Sequence, residues 1–207
     1  MLKLHHLERS RSTRILWLME ELALPYELVA YQRDPQTARA PASLHGVHPI
    51  GKAPILEDGA LTIAESGAII EYVVDAYGAG DFAPARGSAD HARYLEWLHF
   101  AEGTAIFPVM LQLLGAWMGP LPAPMQAFAQ RDIDLILDRI AKAVEAGGYV
   151  MASGFTAADI QIGYVVGLAR MGGMIGARPA LQAYLDRLEA RPAYARAIEK
   201  GGPHYMR

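Results

Sequence analysis

Lys52-Ala-Pro-Ile-Leu-Glu-Asp-Gly-Ala-Leu-Thr-Ile-Ala-Glu-Ser-Gly-Ala-Ile-Ile-Glu-Tyr72 holds three structural signals with almost no spacer. Pro54 opens a short strand, Pro54 to Glu57, at a position where a missing N–H is tolerated. Asp58-Gly59 reads as a two-residue hairpin turn, because both residues accept a positive φ. A second strand, Ala60 to Ile63, follows. Glu65-Ser66 then leads into a helix whose apolar residues Ile69, Tyr72, Val73, Ala76 and Tyr77 recur at helical spacing. A hairpin thus delivers a carboxylate and a hydroxyl to a helix N-terminus. Unpaired N–H groups and the positive end of the helix dipole favour a ligand carboxylate there, and Glu65 can hold a ligand ammonium. A small molecule carrying both groups, such as an amino acid, fits this pair. The plainer reading makes Ser66 an ordinary N-cap and Glu65 a solvated acid of the first turn.

The chain has 207 residues, enough for one or two domains with a full core. It is 52% hydrophobic and 20% charged, with net charge −3. Basic and acidic residues number 7 and 10 up to Gly80 and 12 and 12 beyond it. No basic patch forms, which argues against nucleic acid and anionic membranes as partners. There is no cysteine, so disulfides, thiolate metal sites and a cysteine nucleophile are excluded together. Met1-Leu2-Lys3-Leu4 runs directly into a strand pattern without a signal-peptide pattern, and a cytoplasmic protein is the default expectation.

Leu2 to His6 reads as a strand. A polar turn, Glu8 to Ser12, leads to a helix with Ile15, Leu18, Met19 and Leu22 on one face, ending near Leu24-Pro25. Tyr26 to Tyr31 is a second strand, and this order predicts a right-handed βαβ unit with parallel strands. Residues 33 to 51 are loop-like. The first 78 residues therefore form a βαβ–ββα unit, an α/β domain of four strands. Residues 79–88 read as a linker and residues 89–207 as an all-α domain. In the latter, Asp90 to Met118 carries Tyr94, Leu98, Ala101 and Ala105 on one face, with a kink at Pro108. Met125 to Ala146 is a further helix, ended by Gly147-Gly148. Phe155-Thr156-Ala-Ala-Asp159-Ile160 has the form of a capping box with a hydrophobic staple, Phe155 on Ile160. Helices over Pro179 to Ala190 and Ala193 to Lys200 follow.

Four motifs in this order, on these elements, resemble a cytosolic glutathione transferase of the serine type found in bacteria and fungi: Ser10-Arg-Ser-Thr-Arg14 after the first strand, Ala53-Pro54 before the hairpin, Glu65-Ser66 at the helix start, and Thr156-Ala-Ala-Asp159 in the helical domain. The resemblance covers residues 2 to 200. It implies a thioredoxin-like first domain that binds glutathione as co-substrate, without a metal. It implies a cis bond at Pro54, a backbone contact from Ala53 or Ile55 to the cysteinyl part of glutathione, and capture of the γ-glutamyl ammonium and carboxylate by Glu65 and Ser66. Lys52 stands where a polar residue meets the glycyl carboxylate or the γ-glutamyl group. Thr156 and Asp159 are implied to be structural. A homodimer with two-fold symmetry is also implied.

The implied chemistry needs a thiolate. A free thiol has a pKa of about 8.5, and lowering it by about two units takes roughly 2.7 kcal/mol of preferential stabilisation. In the family a hydroxyl just after the first strand donates the hydrogen bond. Ser10 matches that place best, Ser12 second and Thr13 third, and the serine acts as a donor rather than a nucleophile. The plainer reading is that Ser10 and Ser12 cap the first helix. The electrophile pocket is expected where the two domains face, with His99, Gly103, Phe107 and Met110 on one side and Tyr164 and Arg170 opposite. Gly103 would leave room, and Phe107 and Met110 would supply apolar surface. The expected activity is conjugation of the glutathione thiolate to small hydrophobic electrophiles in detoxification, with hydroperoxide reduction as a second outlet. A glutathione-dependent disulfide reductase and a non-catalytic binding protein of the same fold are the alternatives.

Overall fold

The computed structural model describes residues 1–204, with 146 and 147 by backbone alone. Two compact units emerge, Met1–Asp81 joined by the segment from Glu189 onward, and Phe82–Leu188. In the first unit, β1 (Leu2–Leu7), α1 (Ser12–Glu21), β2 (Tyr26–Tyr31), a 3-10 turn (Ala42–Gly46), β3 (Ile55–Asp58), β4 (Leu61–Ala64) and α2 (Ser66–Tyr77) follow one another. The sheet order is β2-β1-β3-β4. β1 and β2 are parallel, and the other pairs are antiparallel. This is the thioredoxin-like α/β arrangement. Leu4, Leu56, Ile15, Leu18, Ile69, Ile70 and Val73 are fully buried in its core, each contributing about 2 kcal/mol of transfer free energy.

The hairpin differs from the sequence reading by one residue. Asp58 pairs with Leu61, so the turn is Gly59-Ala60, with a positive φ of 58° at Gly59. The Asp58 carboxylate accepts from the hydroxyls of Tyr72 and Tyr77 on α2. The loop before Lys52 also gains order that its prolines and glycines do not suggest, namely the 3-10 turn over which Leu44 becomes fully buried.

α1 is buried on more than its one apolar face: every residue from Ser12 to Glu20 is buried. The cause is α8 (Pro192–Gly201), which packs on α1. Arg191 forks onto Glu21 with contacts of 2.6 and 2.9 Å. Glu20 is met by Arg196 at 2.9 Å, by Lys200 and by the Tyr26 hydroxyl. Burial pushes the Glu20 carboxyl up, but these hydrogen bonds outweigh it and hold it below the usual carboxylate range. Trp17 meets Tyr194 edge-on, with His204 stacked on Tyr194. Residues 189–204 therefore group with the first unit, whereas the sequence reading runs one helical domain from 89 to 207; residues 205–207 lie outside the described residues.

The second unit contains α3 (Ala89–Phe100), a π-helical segment (Ala101–Ala105), α4 (Ile106–Met118), α5 (Ala123–Gly147), α6 (Ala157–Met171) and α7 (Pro179–Glu189). The expected seam Tyr94, Leu98, Ala101 and Ala105 is buried. The helix is disturbed at the π segment, ahead of the predicted kink at Pro108. A proline cannot donate to the carbonyl four residues back and crowds it. For Pro108 that carbonyl belongs to Thr104, and the ladder widens there, with the Ile106 N–H reaching the Ala101 carbonyl. α6 is buried from Ala157 to Ala169, as befits the central helix of the unit. Its capping box is present. Phe155 meets the rings of Phe82 and Tyr149 edge-on.

Asp159 holds this region together. It accepts from the backbone N–H groups of Val150 and Thr156, each at 2.9 Å, and from the Tyr184 hydroxyl at 3.0 Å. Asp159→Ala strands these buried donors, together with the Thr156 hydroxyl at 3.3 Å, and is expected to cost about 3 kcal/mol or more, read as a lower denaturant midpoint. Burial raises the Asp159 carboxyl to about 6, against the donors that pull it down. The folded state thus keeps its proton after the unfolded chain has lost it. The stability this supplies is full below about pH 4 and is lost as pH rises through about 6. Unfolding measured across that window is expected to slope downward in the wild type and to lose this component in Asp159→Asn.

Candidate functional site

The strand register gathers the candidate residues of the first unit at one edge of the sheet. Ile55 pairs with both His5 and Ala64. Pro54 therefore lies beside the C-terminal end of β1 and beside Glu65, which follows β4. The turn carrying Ser10 leaves β1 at that same end. The Ala53–Pro54 peptide is cis. Pro54 is buried, Ala53 half-buried and Lys52 exposed.

Glu65 has φ 70° and ψ 116°, a conformation that side chains beyond glycine rarely adopt. It is the N-cap of α2, yet its side chain makes no capping hydrogen bond. Its exposed carboxylate is left facing solvent. Ser66, the first residue of α2, is buried and accepts a hydrogen bond from Arg14 Nη1 at 3.3 Å. Arg14 is itself fully buried. A guanidinium thus lies behind a hydroxyl at a helix N-terminus, and the combination is electropositive, with a carboxylate next to it. Arg14 was missed in the sequence, because nothing in Ser10-Arg-Ser-Thr-Arg14 distinguishes a buried arginine from a solvated one.

Ser10 and Ser12 come together, with 2.8 Å between their hydroxyl oxygens. Ser10 Oγ also accepts the Ser12 N–H at 3.1 Å. In this respect it does cap the start of α1, and its main-chain carbonyl accepts from Thr13 Oγ1 at 2.6 Å. Ser12 is fully enclosed, whereas Ser10 is 9% exposed. Ser12 Oγ is further bonded to the Leu7 N–H at 3.0 Å and to His6 Nδ1 at 2.9 Å. His6 Nε2 reaches the Gly201 carbonyl at 2.8 Å. Burial lowers the basicity of His6, partly offset by that carbonyl and by the Glu8 carboxylate. His6 had no role in the sequence reading, since its partner lies 195 residues away. His5, on the other face of β1, meets Tyr31 Oη at 2.9 Å and Glu57 Oε1 at 2.5 Å.

In the second unit His99 and Gly103 are exposed, Phe107 is 59% exposed and Met110 is half-buried. They share the side of the α3–α4 run opposite its buried seam. A Cβ on Gly103 would meet nothing within 4 Å. Tyr164 is core. One cavity of this unit, about 250 Å³, is lined by Phe100, Thr104, Asp132, Leu135, Ile136 and Arg139, and so does not include those four residues. No cluster of three or more metal-ligating side chains occurs among the described residues.

A four-stranded thioredoxin-like sheet with a cis-proline at its edge, accompanied by an all-helical unit, defines a class of proteins with an α/β unit and an all-α unit. Comparison with known proteins narrows this. Residues 1–75 match the family model described as the glutathione S-transferase N-terminal domain. Glutathione S-transferase 3 of Schizosaccharomyces pombe is 31% identical, over 97% of this chain and 88% of that protein. A solved glutathione S-transferase from Actinobacillus pleuropneumoniae is 33% identical with a TM-score of 0.88, over 97% and 93% of the two chains. A sphingomonad glutathione S-transferase solved with glutathione is 28% identical with a TM-score of 0.78, over 97% and 98%. The chain belongs to the glutathione S-transferase family, a family of transferase enzymes.

Gly201 is required where it stands. A Cβ there would lie 2.5 Å from Leu16 Cδ2 and 2.9 Å from His6 Nε2. Gly201→Ala is expected to displace His6, lowering stability by about 1–3 kcal/mol in chemical denaturation.

Proposed function

We propose that the chain binds glutathione at the sheet edge formed by the ends of β1 and β4 and the start of β3, ionises its thiol against Ser10, and adds the thiolate to small hydrophobic electrophiles. The observation that carries this is the pairing of a strained, exposed Glu65 with Ser66 and Arg14 on the same edge as Ser10. Glutathione has a free ammonium and carboxylate at its γ-glutamyl end, and both find a partner of opposite character. Ser66 Oγ and the first N–H groups of α2 suit the carboxylate, with the Arg14 charge behind them. The Glu65 carboxylate suits the ammonium. The backbone of Ala53 or Ile55, on either side of the cis bond, suits the cysteinyl amide. Lys52, exposed, suits the glycyl carboxylate. The sphingomonad relative holds glutathione, which supports the ligand.

Ser10 rather than Ser12 is the donor to sulfur in this reading, because Ser10 keeps 9% of its surface exposed while Ser12 is fully enclosed and bonded to Leu7, His6 and Ser10. The thiolate attacks an electrophilic carbon, a C–S bond forms, and the leaving group departs with its electron pair or an alkene or epoxide takes the charge. The residues of the helical unit that this reading assigns to electrophile binding are His99, Gly103, Phe107 and Met110, of which Phe107 offers exposed apolar surface. Hydroperoxide reduction uses the same thiolate, with a second glutathione closing the disulfide. Detoxification in the cytoplasm, where glutathione is the thiol buffer, fits this chemistry. The chain acts as a homodimer in this reading, supported by exposed Leu114, Trp117, Met118, Phe128 and Leu135 on α4 and α5.

Ser10→Ala is expected to raise the pKa of bound thiol and lower kcat about 10–100-fold near neutral pH, with little change in glutathione affinity by calorimetry. Ser66→Ala is expected instead to weaken glutathione binding about tenfold or more. Absence of glutathione binding by the wild type would overturn the reading. A panel of aryl halides, epoxides, isothiocyanates, hydroperoxides and mixed disulfides then ranks the activities, and sedimentation is expected to give twice the chain mass.

A further inference from the structure

Behind Ser10 runs a chain of hydrogen bonds, Ser10 Oγ to Ser12 Oγ at 2.8 Å and Ser12 Oγ to His6 Nδ1 at 2.9 Å, anchored by His6 Nε2 on the Gly201 carbonyl at 2.8 Å. The direction of each bond follows from its ends. A carbonyl only accepts, so Nε2 carries a hydrogen. In the neutral ring Nδ1 is then an acceptor, and Ser12 is the hydroxyl that donates to it. The Leu7 carbonyl, 3.1 Å from Ser12 Oγ, is the longer alternative. The lone pairs of Ser12 accept the Leu7 N–H at 3.0 Å and the Ser10 hydroxyl. Ser10 Oγ accepts the Ser12 N–H at 3.1 Å and keeps one lone pair for a ligand.

With His6 neutral, every hydroxyl hydrogen in the chain points inward, from Ser10 to Ser12 to His6. The ligand then meets a lone pair, which matches a thiol, because S–H donates. It does not match a thiolate, which needs a donor. One proton on Nδ1 reverses the chain. His6 then donates to Ser12, Ser12 to Ser10, and Ser10 to the sulfur. The protein thus has two self-consistent arrangements of the same heavy atoms, one for each ionisation state of the ligand sulfur.

We propose that His6 is a positioning residue whose proton occupancy is coupled, through Ser12 and Ser10, to ionisation of the bound glutathione thiol. This rests on the assignment of Ser10 as the donor to sulfur. In the step, the S–H bond breaks and its proton goes to Ser10 Oγ. The hydrogen of Ser10 goes to Ser12 Oγ, and that of Ser12 goes to His6 Nδ1. Three bonds to hydrogen break and three form. A thiolate and an imidazolium result, with no change in net charge.

The surroundings of His6 set the balance. It is 1% exposed. Burial opposes its cation, while the Gly201 carbonyl and the Glu8 carboxylate, in the turn after β1, favour it. His204, beyond α8, is held neutral, its imidazole pushed down to about 3 by burial and then by Arg14 and His6. The thiolate supplies the counter-charge that the ligand-free site lacks.

The test uses the intact chain labelled with nitrogen isotope at histidine. Imidazole resonances are recorded at neutral pH without ligand, with glutathione and with S-methylglutathione, alongside thiolate absorbance in the ultraviolet. Glutathione is expected to move His6 Nδ1 from the unprotonated to the protonated shift. S-methylglutathione, which has no thiol proton, is expected to leave it unprotonated. Ser12→Ala is expected to abolish the glutathione effect on His6 and to cut the thiolate fraction about tenfold. Should that variant fail to fold, the wild-type spectra alone decide. A full thiolate signal with His6 Nδ1 still unprotonated overturns the coupling and leaves the Ser10 assignment standing. Absence of glutathione binding removes both.

Discussion

The Ser12 hydroxyl ties together, directly or through His6, the end of β1, the turn after it and the end of α8. It accepts the Leu7 N–H at the end of β1, meets Ser10 in the following turn, and reaches His6, which in turn takes the Gly201 carbonyl at the end of α8. Each of these groups is buried or nearly so, and a buried donor or acceptor without a partner costs about 1–3 kcal/mol. The local arrangement is therefore all or nothing. Moving any one member strands the others, which is why a turn of small polar residues can hold a hydroxyl in a fixed direction.

That point depends on α8 being where it is. The helix is amphipathic, but its partner is chosen by charge as well as by apolar area. Arg191, Arg196 and Lys200 meet Glu21 and Glu20 on α1, and Trp17, Tyr194 and His204 fill the space beside them. The carboxylates are largely enclosed while the cations remain partly in water, so solvent screening limits what each pair contributes to stability. The consequence for the site is direct. The last turn of α8 supplies the carbonyl that fixes the tautomer of a histidine beside the first turn of α1.

The second half of the site obeys a different constraint. Glu65, between the end of β4 and the start of α2, has a positive φ and lies at the edge that carries the cis Ala53–Pro54 bond. Arg14 donates to Ser66 from within the fold. The buried guanidinium adds its charge to the positive end of the α2 dipole, so this edge favours an anion. Structure and proposed ligand are complementary here in charge before any contact is made.

Much of this was legible in residues close in sequence. The β1–α1–β2 order, the hairpin, the start of α2 and the capping box at Thr156 and Asp159 follow from local spacing, turn residues and helix-end chemistry, because those forces act within a few residues. The short motifs around Ser10, Pro54 and Glu65 also carried the family resemblance. What local pattern could not decide was anything whose partner lies far along the chain. Asp58 pairs with Leu61 as the last residue of β3, and its carboxylate takes two tyrosines of α2. The helix before Pro108 opened a turn early because the conflict lies at the carbonyl of Thr104. Arg14, Glu20 and His6 read as ordinary polar residues until α2, α8 and the Gly201 carbonyl came to meet them. A sequence states which groups need partners, whereas only the folded chain states which groups they find, since that depends on distances no spacing rule contains.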